Sequence, residues 1–346
     1  MWDALSSSIL AGAFFAASAV IVLAGLRMTG LADRIADRTG LGEALIGGVL
    51  LGAATSLGGI IVSVTAALDG NASLAFSNSV GGIAAQTLFL AVADMFYRKV
   101  NLEHAAADLS NLFQGIVLMV LLTLPFLAMS SPEFTLWSVH PISLVIPLVY
   151  AGGLFTQRRV QDNPMWTPVA TRDTMADEPD EEDDESRGQS TMRLFLIFGG
   201  LMLLMGVAGY VISKTASELA QRLDISGSTV GALATATVTS MPELVTTVAA
   251  VRRGALQLAV GGIIGGNTFD TLFLVASDIS YREGSLYHAV SDADFYWIAT
   301  ALLMTGILIG GLIARQRQGP GKIGGESILL IGIYAAAVAI QFSTGP

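Results

Sequence analysis

The sequence predicts an all-α membrane protein of ten transmembrane helices, arranged as two inverted five-helix repeats. Three observations lead there. Of the 346 residues, 53% are apolar and 13% charged, with a mean hydropathy of +0.64. Apolar stretches of about 20 residues, the length needed to cross a bilayer as a helix, recur along the chain. Finally, a segment of the first half aligns without a gap on a segment of the second.

A soluble chain of this length needs far more polar surface than this composition supplies. The alternation of a membrane barrel is absent, so helices are the spanning structure. The chain opens Met1-Trp2-Asp3 with no basic region and no small-residue cleavage site, and the first apolar stretch is expected to be a retained span. There are no cysteines, which excludes disulfides and thiolate metal sites. The net charge of −10 is concentrated in the acidic tract 177–185 and argues against a nucleic-acid partner.

The ten spans are expected near 9–26, 43–68, 74–96, 112–129, 139–155, 194–213, 229–251, 256–279, 295–314 and 327–341. They divide the chain into a first half, 1–157, and a second half, 194–346. Between them, 158–193 holds Pro164, Pro168 and the acidic tract, with too little apolar matter to fold, and reads as a disordered linker. The acidic tract reads as a solvated tether, Ca²⁺ sensing being the alternative. With the N-terminus outside, the inside loops collect Arg27, Arg34, Arg38, Arg98, Lys99, Arg158, Arg159, Arg172, Arg187, Arg193, Arg252, Arg253, Arg315, Arg317 and Lys322. The outside loops collect only Lys214, Arg222 and Arg282. This bias of about fivefold places the linker in the cytoplasm and both termini outside, in a cell inner (plasma) membrane.

The repeat carries the functional information. Residues 52–98 lie over 236–282 with roughly a third of positions identical, high for a diverged membrane repeat. Thr55-Ser56 falls on Thr239-Ser240, Gly70 on Gly254, Gly81-Gly82 on Gly265-Gly266, Thr87 on Thr271, and Asp94 on Asp278. An odd number of spans per half inserts the second copy upside down. Such halves build alternating-access transporters, with the site at their interface near the midplane.

Two ionisable residues fall deep in the apolar spans, Glu243 and Asp270. A carboxylate there costs several kcal/mol unless it is paired, hydrated or bound to a cation. No Lys, Arg or His lies at a comparable depth. The competing reading is a protonated carboxyl that fastens helices. Thr239, Ser240, Glu243, Thr246 and Thr247 form a polar stripe at helical spacing. Pro242 lacks an amide hydrogen and frees the carbonyl of Val238. Asn267 and Asp270 lie about one turn apart beyond the glycines Gly261, Gly262, Gly265 and Gly266. In the first repeat, Gln86 stands opposite Asp270, and Gly58-Gly59 opposite Pro242-Glu243. Hydroxyls, carbonyls and carboxylates are the hard oxygen ligands of Na⁺ and Ca²⁺. Packing of small residues is the other explanation for the Ser and Thr positions.

Thr239-Ser240-Met241-Pro242-Glu243 followed by Gly265-Gly266-Asn267-Thr268-Phe269-Asp270 resembles the second α-repeat of the cation/Ca²⁺ exchanger superfamily, which includes the Na⁺/Ca²⁺ exchangers. The resemblance implies a secondary cation antiporter with no permanently bound cofactor, exchanging Ca²⁺ or another cation for Na⁺ or H⁺. It implies an ion site in which Glu243 and Asp270 supply carboxylates, Thr239, Ser240, Thr55 and Ser56 supply hydroxyls and carbonyls, and Gln86 stands at a carboxamide or carboxylate position; Asn267 belongs to the same motif. The sequence departs from the family pattern in three places: the first repeat lacks the Pro-Glu pair, Gly82 and Gly266 replace serines, and both acidic residues come from the second half.

The expected partners are therefore inorganic cations and the lipid bilayer; oligomeric state is not legible. A membrane enzyme is the rival from another class, but serine hydrolysis within the membrane needs a buried Ser-His pair, and His104, His140 and His288 lie in loops or at span ends. A channel, a diverged monovalent-cation transporter and a transport-inactive homologue complete the alternatives. The departures from the family leave Ca²⁺ itself, and Na⁺ against H⁺, open.

Overall fold

The computed structural model describes residues 2–39, 48–97, 99–174, 191–320 and 323–343, and the side chains of all of these except 32, 33, 36–39 and 48–54. Among them the secondary structure is helical, apart from one isolated bridge between Leu136 and Val139. In chain order the helices are α1 (Ser7–Thr39), α2 (Gly48–Leu68), α3 (Ala72–Asp94), α4 (Leu102–Ala105), α5 (Leu109–Ser130) and α6 (Ile142–Asp162). Then come α7 (Thr191–Leu223), α8 (Gly227–Thr229), a π-helical turn (Val230–Thr235), α9 (Ala236–Thr239) and α10 (Met241–Arg253). α11 (Leu256–Ser280), α12 (Leu286–Ala289), α13 (Asp292–Ala314) and α14 (Gly325–Ser343) complete the chain. Seven of the described helices are long and apolar enough to cross a membrane: α3, α5, α7, α11, α13, α14 and the Ser7–Leu31 part of α1. α2 holds a shorter apolar stretch, Thr55–Leu68.

The interval read from the sequence recurs in the helix bounds. The starts of α3 and α11, Ala72 and Leu256, and of α4 and α12, Leu102 and Leu286, keep it. Between α2 and α3 the chain turns at Gly70 with φ of +75°; between α10 and α11 it turns at Gly254 with φ of +90°. Both are left-handed backbone, which glycine adopts without the Cβ penalty.

Side-chain caps obey the same interval. Asp94, at the end of α3, accepts the backbone N–H of Leu102 on Oδ1 and of Gly324 on Oδ2, both at 2.8 Å. Asp278, in the last turn of α11, accepts the N–H of Leu286 at 2.9 Å and of His140 at 2.8 Å. The Ser143 hydroxyl adds a third bond at 2.6 Å. Each carboxylate thus saturates two backbone donors that a loop would otherwise leave buried without an acceptor. In each case one donor is local and the other lies far along the chain, in the opposite half.

α3 is the axis of the molecule, with 89% of its apolar window buried. It packs against α2, α11, α13, α14 and the π-helical turn. α1 lies along α7, at a distance from α3 in the packing order, and α5 pairs with α6. Small residues let the central backbones touch. A Cβ at Gly81 would sit 2.4 Å from the Ala232 Cα, and one at Gly231 would sit 2.8 Å from the Leu74 carbonyl oxygen. In hydrocarbon, where no hydrophobic effect drives helices together, such close contact supplies the packing energy.

Two expectations need correction. The seventh span is not one helix: it is broken into α8, the π-helical turn, α9 and α10. The linker is not wholly a free tether. Thr171 hydrogen-bonds the His104 ring at 3.1 Å, Arg315 donates to the Val169 carbonyl and the Thr174 hydroxyl, and Arg317 pairs with Asp173 at 2.8 Å. Low hydrophobicity does not prevent docking where arginines and a histidine supply hydrogen bonds. The acidic tract itself lies outside the described residues.

Candidate functional site

The break in the seventh segment places the first carboxylate. α9 ends at Thr239, and Ser240 has φ −94° and ψ 0°, outside helical geometry. α10 restarts at Met241 with Pro242 in its first turn, where a missing N–H costs nothing. Glu243 follows in that turn, 5% exposed, beside the amide-rich end of the helix that favours negative charge. The Thr55 hydroxyl of α2 hydrogen-bonds its carboxylate. The Thr239 hydroxyl bonds back to the carbonyls of Thr235 and Ala236, at 3.0 and 3.3 Å. Thr246 does the same to Pro242 and Glu243, at 3.1 Å each.

Asp270, in the middle of α11 and 2% exposed, is held from the other half of the chain. Ser56 of α2 donates to its Oδ1 at 2.7 Å, and Gln86 of α3 donates to its Oδ2 at 2.6 Å. The same Gln86 amide reaches the Ser240 hydroxyl at 3.3 Å. Ser79, also on α3, donates to the backbone carbonyl of Asp270 at 2.8 Å. Four elements, α2, α3, α10 and α11, therefore converge on one buried polar locus. Six of the sequence-predicted residues meet there: Thr55, Ser56, Gln86, Ser240, Glu243 and Asp270. Thr239 lines the same helix with its hydroxyl occupied locally. Asn267 is fully buried one turn away on α11 and donates to Thr87 at 3.0 Å, not to the carboxylates.

The atoms left without a donor define what the locus can hold. Gln86 Oε1, Glu243 Oε2 and Asn267 Oδ1 are buried with no hydrogen-bond partner. All three are acceptors. An unpaired buried acceptor costs about 1–3 kcal/mol, and a cation satisfies it. The described ion pairs lie elsewhere: Lys214 with Asp69, Arg222 with Glu218, Arg317 with Asp173. Among the described residues no group of three or more His, Cys, Asp or Glu is gathered as a metal site. Two carboxylates with neutral oxygens suit an ion in transit better than a resident one.

The two glycines that replace family serines face this locus. A Cβ at Gly82 would lie 3.4 Å from Ser240 Oγ and 3.8 Å from Asp270 Oδ2, and one at Gly266 would lie 3.2 Å from Gln86 Oε1. Gly59, the repeat equivalent of Glu243, also points inward, but its place is taken: a Cβ there would meet the Phe273 ring at 2.6 Å, with Thr239 Oγ1 at 3.5 Å. Sequence reasoning missed this ring, and also Asn78, which ties α2 to the π-helical turn. Asn78 donates to the Gly59 carbonyl at 3.1 Å and to Ser63 at 2.9 Å, and accepts from Thr235 at 2.6 Å. The signal available was the polar run Ser77-Asn78-Ser79 inside an otherwise apolar helix.

Fold and site together define a multi-pass helical membrane protein with a buried, acceptor-rich locus at the meeting of its halves. The chain belongs to the sodium/calcium exchanger protein family, whose profile matches residues 9–157 and 193–343. It is 31% identical over 152 residues to the inner membrane protein YrbG of Escherichia coli, a match spanning 44% of this chain and 45% of that relative. With the putative antiporter CaxA of Alkalimonas amylolytica it shares 25% identity over 287 residues, 81% of this chain and 84% of the relative. Its fold is that of the sodium-calcium exchanger NCX_Mj, with a TM-score of 0.61 at 17% identity, covering 96% of this chain and 99% of that one. The H⁺/Ca²⁺ exchanger CAX gives a TM-score of 0.70 at 12% identity, covering 96% and 85%.

Proposed function

We propose that the protein is a secondary active cation antiporter, exchanging Ca²⁺ or another cation for Na⁺ or H⁺ by alternating access. One observation carries the reading: Asp270 of the second half is gripped by Ser56 and Gln86 of the first, beside Glu243. A site built from both halves changes its access when they move against each other. Ten spans in two inverted halves, 1–157 and 194–346, joined by a cytoplasmic linker at 158–193 with both termini outside, complete the reading; of these, the repeat is supported by the starts of α3 and α11 and of α4 and α12, and by the aspartate caps, which recur at an interval of 184.

Ligand roles follow from the geometry. Glu243 and Asp270 supply up to two negative charges. Thr55, Ser56, Ser240 and the Gln86 carboxamide oxygen supply neutral ligands, with Thr239 and Asn267 at the margin. Two charges neutralise one divalent cation or two monovalent ones. The two cargoes thus compete for the same oxygens, the condition for exchange. A cation entering between Gln86 and Asp270 must break the 2.6 Å amide bond, which a half-turn of the carboxamide does while presenting Oε1.

The test is uptake of radioactive Ca²⁺ into proteoliposomes under imposed Na⁺ or H⁺ gradients. An antiporter accumulates Ca²⁺ against its gradient when the counter-ion gradient is imposed. Uptake that follows voltage alone identifies a channel, and no flux of any cation identifies a transport-inactive homologue.

A further inference from the structure

Asp94, Glu103 and Glu326 gather away from the central locus, where α4 meets the start of α14, and the transport reading makes no use of them. Glu103 is fully buried and Glu326 is 8% exposed. Glu103 Oε2 and Glu326 Oε1 are buried and meet no N–H or O–H of the protein. Both oxygens aim at the same place: the Cβ position of Gly324 lies 2.6 Å from Glu326 Oε1 and 3.3 Å from Glu103 Oε2. Ser327 reaches Glu103 Oε1 at 3.5 Å.

The other half of the molecule serves as an internal control. At the interval of 184, Asp94 becomes Asp278, Leu102 becomes Leu286, and His140 and Ser143 correspond to Gly324 and Ser327. The caps on the two aspartates are the same. Yet Glu103 is replaced by Tyr287, whose hydroxyl meets Ser143 at 2.9 Å, and Glu326 by Ile142. The fold therefore builds this corner without a carboxylate pair. Two acids here are an addition that stability does not require.

We propose that Glu103 and Glu326 form a proton-binding site, one proton held between two buried carboxylates and joining the α3–α5 connection of the first half to α14 of the second. Two carboxylates in contact cannot both be ionised with nothing between them, and a shared proton turns the repulsion into a short hydrogen bond. Burial, followed by the charges of Asp94 and Glu326, holds the Glu103 carboxyl well above the usual glutamate range. The surrounding charges do not replace the proton. Both oxygens of Asp94 are taken by backbone N–H groups. The Arg315 guanidinium donates to the carbonyls of His104 and Val169 and to Thr174. The His104 ring is turned to the Arg315 carbonyl and Thr171. α11, also packed on α4, carries no charge before Asp270. Lys322, in the α13–α14 connection, lies outside the described residues.

The sign of the pH effect follows. A carboxyl whose folded value is raised stabilises the fold below the unfolded glutamate value, and that stability is lost as pH rises through the folded value. In purified full-length protein the thermal midpoint should fall as pH climbs above the ordinary glutamate range, the folding constant dropping about tenfold per pH unit for one proton. Glu103→Gln, which keeps a donor in place, should flatten that slope. Infrared spectra should show a protonated-carboxyl band that Glu103→Gln and Glu326→Gln each remove and Glu243→Gln does not. Should Glu103→Gln fail to fold, the double variant Glu103→Tyr/Glu326→Ile copies the other half and is read the same way. An unchanged slope with the band intact in both single variants overturns the proposal. So does loss of the band on adding Ca²⁺ to a Glu243→Gln/Asp270→Asn variant, which would make the pair a metal site.

Discussion

At the scale of single residues, the site divides into groups that hold and groups that wait. Ser56 and Gln86 each donate to one oxygen of Asp270, whereas Glu243 Oε2 meets no donor. Glu243→Gln should therefore abolish gradient-driven cation uptake, by at least about a hundredfold in initial rate, if the ion is worth about 3 kcal/mol at that carboxylate. Monodispersity and thermal midpoint should stay near wild type, because an amide is cheaper to bury than a charge. Wild-type uptake by this variant would move the site elsewhere. Gly82 offers the converse experiment. Its Cβ position faces Ser240 Oγ at an ordinary contact distance, so Gly82→Ser should fold and add a hydroxyl beside Asp270. Divalent affinity should rise severalfold in isothermal titration, on the order of 1 kcal/mol for one added neutral ligand. Gly59 behaves differently. Gly59→Glu alone should destabilise the protein by driving a side chain into Phe273, and should tighten Ca²⁺ binding only when combined with Phe273→Ala.

At the scale of elements, the decisive feature is the break at Ser240 between α9 and α10. Pro242→Ala restores an N–H and a helix former where the chain now restarts. It should leave stability unchanged or raise it, while slowing transport in the same proteoliposome assay; equal or faster uptake would show that the break is incidental. The caps at Asp94 and Asp278 are structural by contrast. Asp278→Ala strips acceptors from the Leu286 and His140 amides and from Ser143, and should cost about 3 kcal/mol, read as a lowered thermal midpoint with transport per folded molecule intact. Sequence reasoning placed Asp278 in the repeat but assigned it no role, since its partners lie 138 and 135 residues away as well as 8.

At the scale of the whole molecule, the inverted arrangement is tested by two loops that correspond at the interval of 184, at Phe134 and Gln318, both exposed. Cysteines placed there should be labelled from opposite sides of the membrane, Phe134→Cys from outside and Gln318→Cys from the cytoplasm. Labelling from one side would end the inverted-repeat reading, whatever the similarity of the halves. The sequence alone determined that this chain lives in a membrane, that a segment of its first half is repeated in its second, and that Glu243 and Asp270 are buried carboxylates. Composition, spacing and burial cost are local or additive properties, readable without coordinates. Only the tertiary structure decided which partners those carboxylates have, that Phe273 fills the place opposite Gly59, that part of the linker is docked, and that Glu103 meets Glu326. These are contacts between residues far apart in the chain, and what selects them is the packing of whole helices, in which no single residue's chemistry names its neighbour.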